Sequence, residues 1–296
     1  MDAEMKNRIE LKGYAFAYAT AVLYGGCTTV ASLVMRGPVN NTTFLFLRAA
    51  ICALTLAAVN LIVKRKDQRP WKSYLRMMLL GALVYATQSA IYFTAVRNNP
   101  ASLTTVIYSL YPIFVPFLVG AADRKRPELK ALPPMCLAIL GLALVLDMKM
   151  EGFSVYGTVC GILATFGFAV YVVIGSRLEK EGERLDAMDK TMCVMAGSGT
   201  SFLIFGLLTG SLKLAEAAPS MAGVVLIALV FTLLPMCFFW SAVRLIGPEK
   251  ASIPSIFEPV SGIILAMILI GERLTALQFL GIAIVLAALF FAQKKS

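Results

Sequence analysis

Hydrophobic residues run in long stretches along the chain, and short polar segments separate them. A helix needs about 20 mainly apolar residues to cross the ~30 Å hydrocarbon core of a membrane. Ten stretches come near that length, and the fifth is short and opens with Pro133-Pro134. The predicted spans are 13–34, 42–63, 77–96, 101–121, 131–146, 155–176, 191–210, 221–243, 251–270 and 275–292. This pattern predicts an all-α integral membrane protein with ten transmembrane helices.

Composition narrows the chemistry that such a protein can perform. Of 296 residues, 59% are hydrophobic and 15% are charged, which is too little polar surface for a soluble protein of this length. The chain has no histidine, which excludes histidine metal sites and Ser-His or Cys-His nucleophile pairs. Its six cysteines lie in apolar stretches without CxxC spacing, as expected of small buried hydrophobes. We predict no metal, no cofactor and no enzymatic activity.

The basic residues predict which side of the membrane each loop faces. Lysine and arginine concentrate in cytoplasmic loops of membrane proteins. If the two ends and the even-numbered loops share one side, that side holds 21 of the 27 basic residues. The other side holds Arg36, Arg97, Lys149, Lys213 and Arg273. We therefore predict cytoplasmic termini in a plasma membrane, of the bacterial inner-membrane type, with the basic residues facing anionic lipid and not nucleic acid.

The second half of the chain repeats the first. The segment from Tyr92 to Arg97 returns as Phe239 to Arg244 at an offset of 147 residues, and Pro112 falls on Pro259 at the same offset. Five spans therefore match five. Because five is odd, the second set must enter the membrane from the opposite face, a plan that recurs in secondary transporters. The predicted domains are two inverted five-helix repeats, 13–146 and 154–292.

Two motifs of the second repeat resemble a known transporter family. Ile256-Phe257-Glu258-Pro259-Val260, followed by Gly271-Glu272-Arg273-Leu274-Thr275, is similar to the signature of EamA-type proteins of the drug/metabolite transporter superfamily. Arg48 also matches an arginine that these proteins often carry in the second span. The first repeat departs from the pattern, since Tyr111 stands where Glu258 does. The resemblance implies a ten-helix carrier, often one that exports amino acids or related metabolites.

Two charged residues lie within the predicted spans, Arg48 and Glu258. Charges in the bilayer cost a few kcal/mol each, so both need a structural or functional explanation. For Arg48 we favour a structural role, with its side chain reaching the interface or a helix-end carbonyl. Glu258 precedes Pro259 near mid-membrane, where it can take up a proton, contact an ammonium group or bond a neighbouring helix end.

Polar and aromatic residues recur at helical spacing on the repeat-related spans. Such stripes can line a central solute site, although tyrosine, tryptophan and serine also occur at membrane interfaces and in helix packing. Pro112 and Pro259 are the predicted hinges, and Glu258 is also the proton-coupling candidate. The predicted substrate-binding residues are Tyr85, Gln88, Tyr92, Tyr108, Tyr111, Trp240, Ser255 and Glu258.

These features favour a secondary carrier that moves a small polar organic solute by alternating access. The sequence has no phosphate-binding GxxxxGK[ST] loop, so direct use of ATP is not expected. The alternatives are uptake or exchange of an organic cation, a nucleoside or a phosphorylated metabolite; the last ranks low because no lysine falls inside a predicted span. Outside transport, a membrane scaffold or receptor remains open. The expected partners are the solute and membrane lipid, with the chain a monomer or homodimer.

Overall fold

The structure is a computed structural model, and the regular elements of its described residues are helices. It describes residues 3–63, 70–123, 152–180, 185–252, 257–271 and 273–294, with isolated positions at 133, 136, 137, 140, 141, 144 and 254. Within these ranges, seven helices are long and apolar enough to cross a membrane, and two shorter apolar helices follow them. The expected all-α, membrane-spanning class is confirmed.

The helices are numbered here in chain order. They are α1 (Ala3–Met35), α2 (Asn41–Val63), α3 (Trp71–Asn98), α4 (Ala101–Ala122), α5 (Val155–Lys180), α6 (Ala187–Leu208), α7 (Leu214–Ser252), α8 (Phe257–Leu269) and α9 (Ala276–Lys294). Each overlaps one of the predicted spans, although several begin or end some residues outside it. The predicted fifth span, 131–146, lies largely outside the described residues.

Three helices depart from regular α geometry inside the bundle. A π-helical segment occupies Gly81–Tyr85 of α3, and a second one occupies Leu229–Leu233 of α7, 148 residues later. Helix α4 consists of two pieces, α4a (Ala101–Tyr108) and α4b (Tyr111–Ala122). Near its end α7 is interrupted at Gly247, whose φ of 81° suits glycine and disfavours other residues. Irregular turns of this kind often mark functional sites.

Helices from the two halves of the chain interleave. Helix α1 packs against α7 and α8, while α5 packs against α3 and α4. Helix α2 packs against α6, and α4a against α8. Close approach requires small residues, as where Gly81 of α3 faces the backbone of Val194 in α6. The core therefore consists mainly of contacts between the two halves.

The connections between helices gather at two ends of the bundle. At one end Asn40 donates to the carbonyl of Ser211 at 2.8 Å, and Arg97 donates to that of Val39 at 3.1 Å. We call this the outer end, after the side that the basic residues predict for it. At the other, inner end, Lys250 pairs with Glu10 at 2.6 Å. Asp123 and Arg177 also form an ion pair there.

Candidate functional site

A cluster of aromatic and polar side chains fills the centre of the bundle. It surrounds a small cavity of about 30 Å³, room for about one water molecule. The lining residues come from α1, α2, α3, α4a, α5 and α7. They are Tyr24, Cys27, Arg48, Tyr85, Gln88, Ser89, Tyr92, Phe93, Tyr108, Phe168 and Phe231. Four predicted substrate-binding residues, Tyr85, Gln88, Tyr92 and Tyr108, are thus brought to one place.

Hydrogen bonds connect the phenols and the amide of this cluster. The Gln88 amide donates to the Tyr108 hydroxyl at 2.9 Å. The Tyr92 hydroxyl lies 2.6 Å from Oγ1 of Thr28 on α1. The rings of Tyr92 and Tyr108 are 4.5 Å apart between centroids. In the described part of the chain the Gln88 Oε1 atom is buried without a hydrogen-bond partner, so it is an acceptor available to a solute or water.

Arg48 lies inside the cluster, so the expectation that it reaches the interface or a helix-end carbonyl is wrong. It is 3% exposed, and its guanidinium donates to the hydroxyl of Ser89 at 3.2 Å and more weakly to that of Thr232 at 3.4 Å. The guanidinium also sits 4.7 Å from the centre of the Phe93 ring. Because α3 and α7 supply hydroxyls at this depth, the cation does not need to reach water. Arg48 therefore joins α2 to both halves of the bundle.

Glu258 and Tyr111 meet in the first turns of α8 and α4b. Glu258 is 2% exposed in the first turn of α8, and its side chain is hydrogen-bonded to Tyr111, the first residue of α4b. Pro112 and Pro259 follow directly, each in the first turn of its helix. There a proline costs no helical hydrogen bond. Pro112 therefore begins a new helical piece and does not kink a continuous helix. The hinge role of both prolines stays a prediction.

Trp240 joins the cluster through a residue that the sequence did not single out. Its indole N–H donates to the hydroxyl of Tyr171 on α5 at 3.0 Å, and Trp240 is fully buried. The Tyr171 ring in turn lies 5.1 Å from that of Tyr85. On the inner side, Nζ of Lys190 is 5.2 Å from the Trp240 ring centre. Trp240 is thus linked through Tyr171 to Tyr85, which lines the central cavity.

Sequence reasoning missed three buried residues near the cluster. Lys190 and Asp189 are 1% and 5% exposed, because α6 begins at Ala187, four residues before the predicted span. Asp186 caps that helix by accepting from the Asp189 N–H at 2.8 Å, a signal that could have moved the boundary. The statement that no lysine lies inside a span, and that only two charges do, is therefore wrong. On α5, Tyr171 follows Phe168 at i+3, so both side chains lie on one face of the helix, a signal that could have found Tyr171.

The predicted site residues therefore fall into three groups. Tyr85, Gln88, Tyr92 and Tyr108 line the cavity. Tyr111, Trp240 and Glu258 are buried around it, with Tyr111 linked through Phe168 at a ring distance of 4.9 Å. Ser255 lies outside the described residues. The arrangement offers a solute a cation, a carboxyl group and several hydroxyls within an aromatic surround.

Known proteins share both the sequence pattern and the fold of this chain. The model of the EamA-like transporter family matches residues 11–147 and 155–293. The chain belongs to the EamA-like transporter family. It is a member of the drug/metabolite transporter superfamily, as its Glu258-Pro259 motif indicated, and a multi-pass membrane transporter.

Relatives agree with that assignment. The "Uncharacterized inner membrane transporter YicL" of Salmonella typhimurium is 25% identical over 94% of this chain and 93% of its own. The "Probable amino-acid metabolite efflux pump" of the same organism is 22% identical over 71% and 73%. A protein of known crystal structure superposes with a TM-score of 0.68 at 14% identity, covering 98% of this chain and 97% of its own. At that identity it supports the fold alone. The family and these relatives carry the names of transporters and not of enzymes.

Proposed function

We propose that this EamA-family transporter is a secondary carrier that moves a small polar organic solute by alternating access between two inverted five-helix repeats. The solute class is an amino acid or related metabolite, moved outward, and both termini are cytoplasmic. The observation that carries the proposal is the buried contact between Tyr111 and Glu258. These residues are equivalent in the two repeats, and they meet beside a cluster built from both halves of the chain.

Packing supports the two-fold relation between the repeats. If the fifth span is counted, α1 to α4 are spans one to four, and α5 to α9 are spans six to ten. Exchanging the repeats then turns the α1–α7 contact into the α5–α3 contact, and the α1–α8 contact into the α5–α4 contact, and all four contacts occur. The two π segments also fall at nearly equivalent positions, since their offset of 148 residues is one more than that of the sequence repeat.

The small size of the central cavity supports a mechanism in which helices must move. A cavity of about 30 Å³ cannot hold an amino acid, so solute entry requires α4 and α8, or the helices against them, to shift. Helix α4 is broken between α4a and α4b beside the cluster, where rearrangement disturbs few helical hydrogen bonds. The Tyr111–Glu258 contact joins α4b to α8. Its opening and closing would couple solute binding to the exchange between outward and inward states.

The chemistry of the cluster supports a polar or zwitterionic solute. Arg48 can contact a carboxylate, while Glu258 and the tyrosine rings can contact an ammonium group. Glu258 is also a candidate for proton coupling, since a carboxyl group at this depth can bind and release a proton during the cycle. The name of the Salmonella relative, an amino-acid metabolite efflux pump, agrees with this class.

Counterflow in proteoliposomes tests the proposal. Vesicles are loaded with a panel of unlabelled amino acids, one at a time, and uptake of the labelled form is followed. A carrier accumulates label transiently in loaded vesicles and much less in empty ones, and the central cluster predicts that Gln88→Leu and Arg48→Met reduce this signal. Thr87→Val is the matched control, because Thr87 adjoins Gln88 but is exposed and bonds only its own helix. No exchange of any amino acid or related metabolite, from a protein that is folded, would contradict the proposed solute class.

A phosphorylated metabolite is the second candidate, and Lys190 favours it. This lysine is buried 5.2 Å from the ring centre of Trp240, contrary to the expectation that no span holds a lysine. Phosphate recognition usually involves Lys or Arg, and Arg48 lies at the same core. Counterflow with sugar phosphates in the same vesicles separates the two solute classes.

A further inference from the structure

A cavity of about 580 Å³ opens at the outer end of the bundle, separate from the small central one. It lies among the end of α1, the end of α3, the start of α4a and the turn after α8. Three arginines line it, Arg36, Arg97 and Arg273, and all three are exposed. We call this cavity the arginine vestibule.

The charge of the arginine vestibule is unbalanced in the described part of the chain. Its described lining contains no aspartate or glutamate, and none of its three arginines forms an ion pair there. Glu151 and Glu272, which adjoin lining positions in the sequence, lie outside the described residues. By contrast Lys213, which also belongs to the outer end, pairs with Glu216 at 2.9 Å.

The clustering runs against the charge bias of the membrane. The side predicted to face outward holds five of the 27 basic residues, and three of those five line this one cavity. Basic residues are scarce on this side, so three arginines that line one recess are a local exception to the bias. Exposed arginine guanidinium groups that converge on a recess attract carboxylates and phosphates, which they bind through paired hydrogen bonds.

Backbone geometry adds to the positive potential of the recess. Helix α4a begins beside the arginines, with Pro100 and Ala101 in the lining, and its first backbone N–H groups have no partner within the helix. Arg97 is held in place by a hydrogen bond to the carbonyl of Val39 at 3.1 Å and a weaker one to that of Met35 at 3.5 Å. Both bonds are donated by one nitrogen of the Arg97 guanidinium group, so its other nitrogens can donate to a ligand.

The arginine vestibule lies next to the central cluster, on the side of the outer end. Along α3, Tyr92 lines the central cavity and Val96, one turn later, lines the vestibule. Along α1, Cys27 lines the central cavity and Ser32, five residues later, lines the vestibule. At about 1.5 Å per residue, these steps of four and five residues correspond to roughly 6 Å and 7.5 Å along the helices, so the two linings are close neighbours. Between them Thr28 and Tyr92 join α1 to α3 through their hydroxyls at 2.6 Å.

We propose that the arginine vestibule is an anion-binding site of the transport path, and that the solute carries a carboxylate or phosphate group. The inference rests on the proposed function for the path, but the anion site itself stands on the cavity and its three arginines. It assigns a class: organic acids, zwitterions and phosphorylated compounds are substrates, and purely cationic or uncharged solutes are not. The same chemistry could hold the headgroup of an anionic phospholipid, and the test separates these two sources.

The test measures binding directly, without transport. The full chain is placed in nanodiscs of phosphatidylcholine, and succinate and inorganic phosphate are titrated by calorimetry. The triple variant R36Q/R97Q/R273Q should weaken succinate binding at least tenfold, which is about 1.4 kcal/mol. Lys213→Gln, also at the outer end but paired with Glu216, should change the affinity less than twofold. The triple Arg→Lys variant keeps the charge and should retain most of the binding.

Four outcomes test the anion site, and a fifth separates it from the proposed function. Succinate or phosphate binding that is lost in the glutamine triple and kept in Lys213→Gln supports the site. Absence of binding to the wild type, or a triple variant within twofold of it, overturns it. If phosphatidylglycerol discs abolish succinate binding to the wild type, the anion is a lipid headgroup and the solute assignment fails. If the glutamine triple variant does not fold, the three single Arg→Gln variants are measured instead. Each is expected to weaken succinate binding twofold or more, and the site is refuted if none of them does. Failed counterflow with intact anion binding would instead contradict the proposed function.

Discussion

Gly197 of α6 offers the sharpest test of the helix packing. A Cβ atom at this position would lie 2.0 Å from the carbonyl oxygen of Met78 and 3.0 Å from the backbone nitrogen of Ala82, both in α3. Because the obstructing atoms are backbone, no side-chain rotation relieves the clash. Bringing the closest contact from 2.0 to 3.0 Å requires the two helices to separate by about 1 Å at this crossing. Gly197→Ala is therefore expected to force α3 and α6 apart.

The size of the effect follows from that separation. A gap of 0.5–1 Å forfeits about a quarter to a half of the dispersion energy between facing atoms, and overpacked cores typically lose about 1–3 kcal/mol. The movement also strains the hydrogen bond from Ser201 to the carbonyl of Ala82, now 2.9 Å. We expect a loss of about 2 kcal/mol. At about 2–4 °C per kcal/mol, the unfolding midpoint should fall by roughly 4–8 °C.

Gly199 provides the matched control two residues away on the same helix. A Cβ atom there would lie 3.5 Å from that of Ala49, an ordinary contact. Both substitutions gain the same helix propensity, up to about 1 kcal/mol, so their difference reports packing alone. Thermal unfolding in detergent with a thiol-reactive fluorophore measures both in a Cys136→Ser background, because Cys136 is exposed whereas Cys52 and Cys193 are buried until the bundle opens. A Gly197→Ala midpoint equal to or above that of Gly199→Ala would refute the reasoning.

Three further outcomes are expected at the central cluster. Glu258→Gln keeps a hydrogen-bond acceptor for Tyr111 but cannot titrate, so it should flatten the pH dependence of counterflow; an unchanged pH profile excludes Glu258 as the coupling group. Arg48→Met removes the links from α2 to α3 and α7 and should cost about 2 kcal/mol in thermal unfolding, and a midpoint shift under 2 °C would contradict it. Of the two tryptophans, Trp71 is 67% exposed and Trp240 is buried. Trp71→Phe should therefore shift the maximum of tryptophan fluorescence to shorter wavelength, and an unchanged maximum would show that Trp240 is exposed to water.

Much of the bundle was predictable because lipid imposes a simple rule. Spans such as 42–63 and 155–176 coincide with α2 and α5, since long apolar stretches have few alternatives to a transmembrane helix. The family was also predictable, from the Glu258-Pro259 motif. The helix boundaries were less predictable. Helix α6 begins after its N-cap residue Asp186 and not where the apolar stretch begins, and so Lys190 was assigned to a loop.

The composition of the site was only partly predictable. Helical spacing brought Tyr85, Gln88 and Tyr92 to one face, and the structure places all three on one cavity. Spacing cannot say which helices face one another, so the contribution of Tyr171 and the central position of Arg48 were not found. For the same reason the arginines of the vestibule, which lie far apart in the sequence after α1, in the last turn of α3 and after α8, could not be grouped from the sequence.

The π segment of α3 sets the rotational phase of everything that follows it. A π turn holds one residue more than the α turn that it replaces, so each later side chain is turned by about 100° from where a regular helix would aim it. Deleting one of the four residues before Tyr85 in this π segment would remove that offset. Gln88 and Tyr92 would then swing out of the solute path towards neighbouring helices or lipid, emptying the cluster without altering any of its side chains.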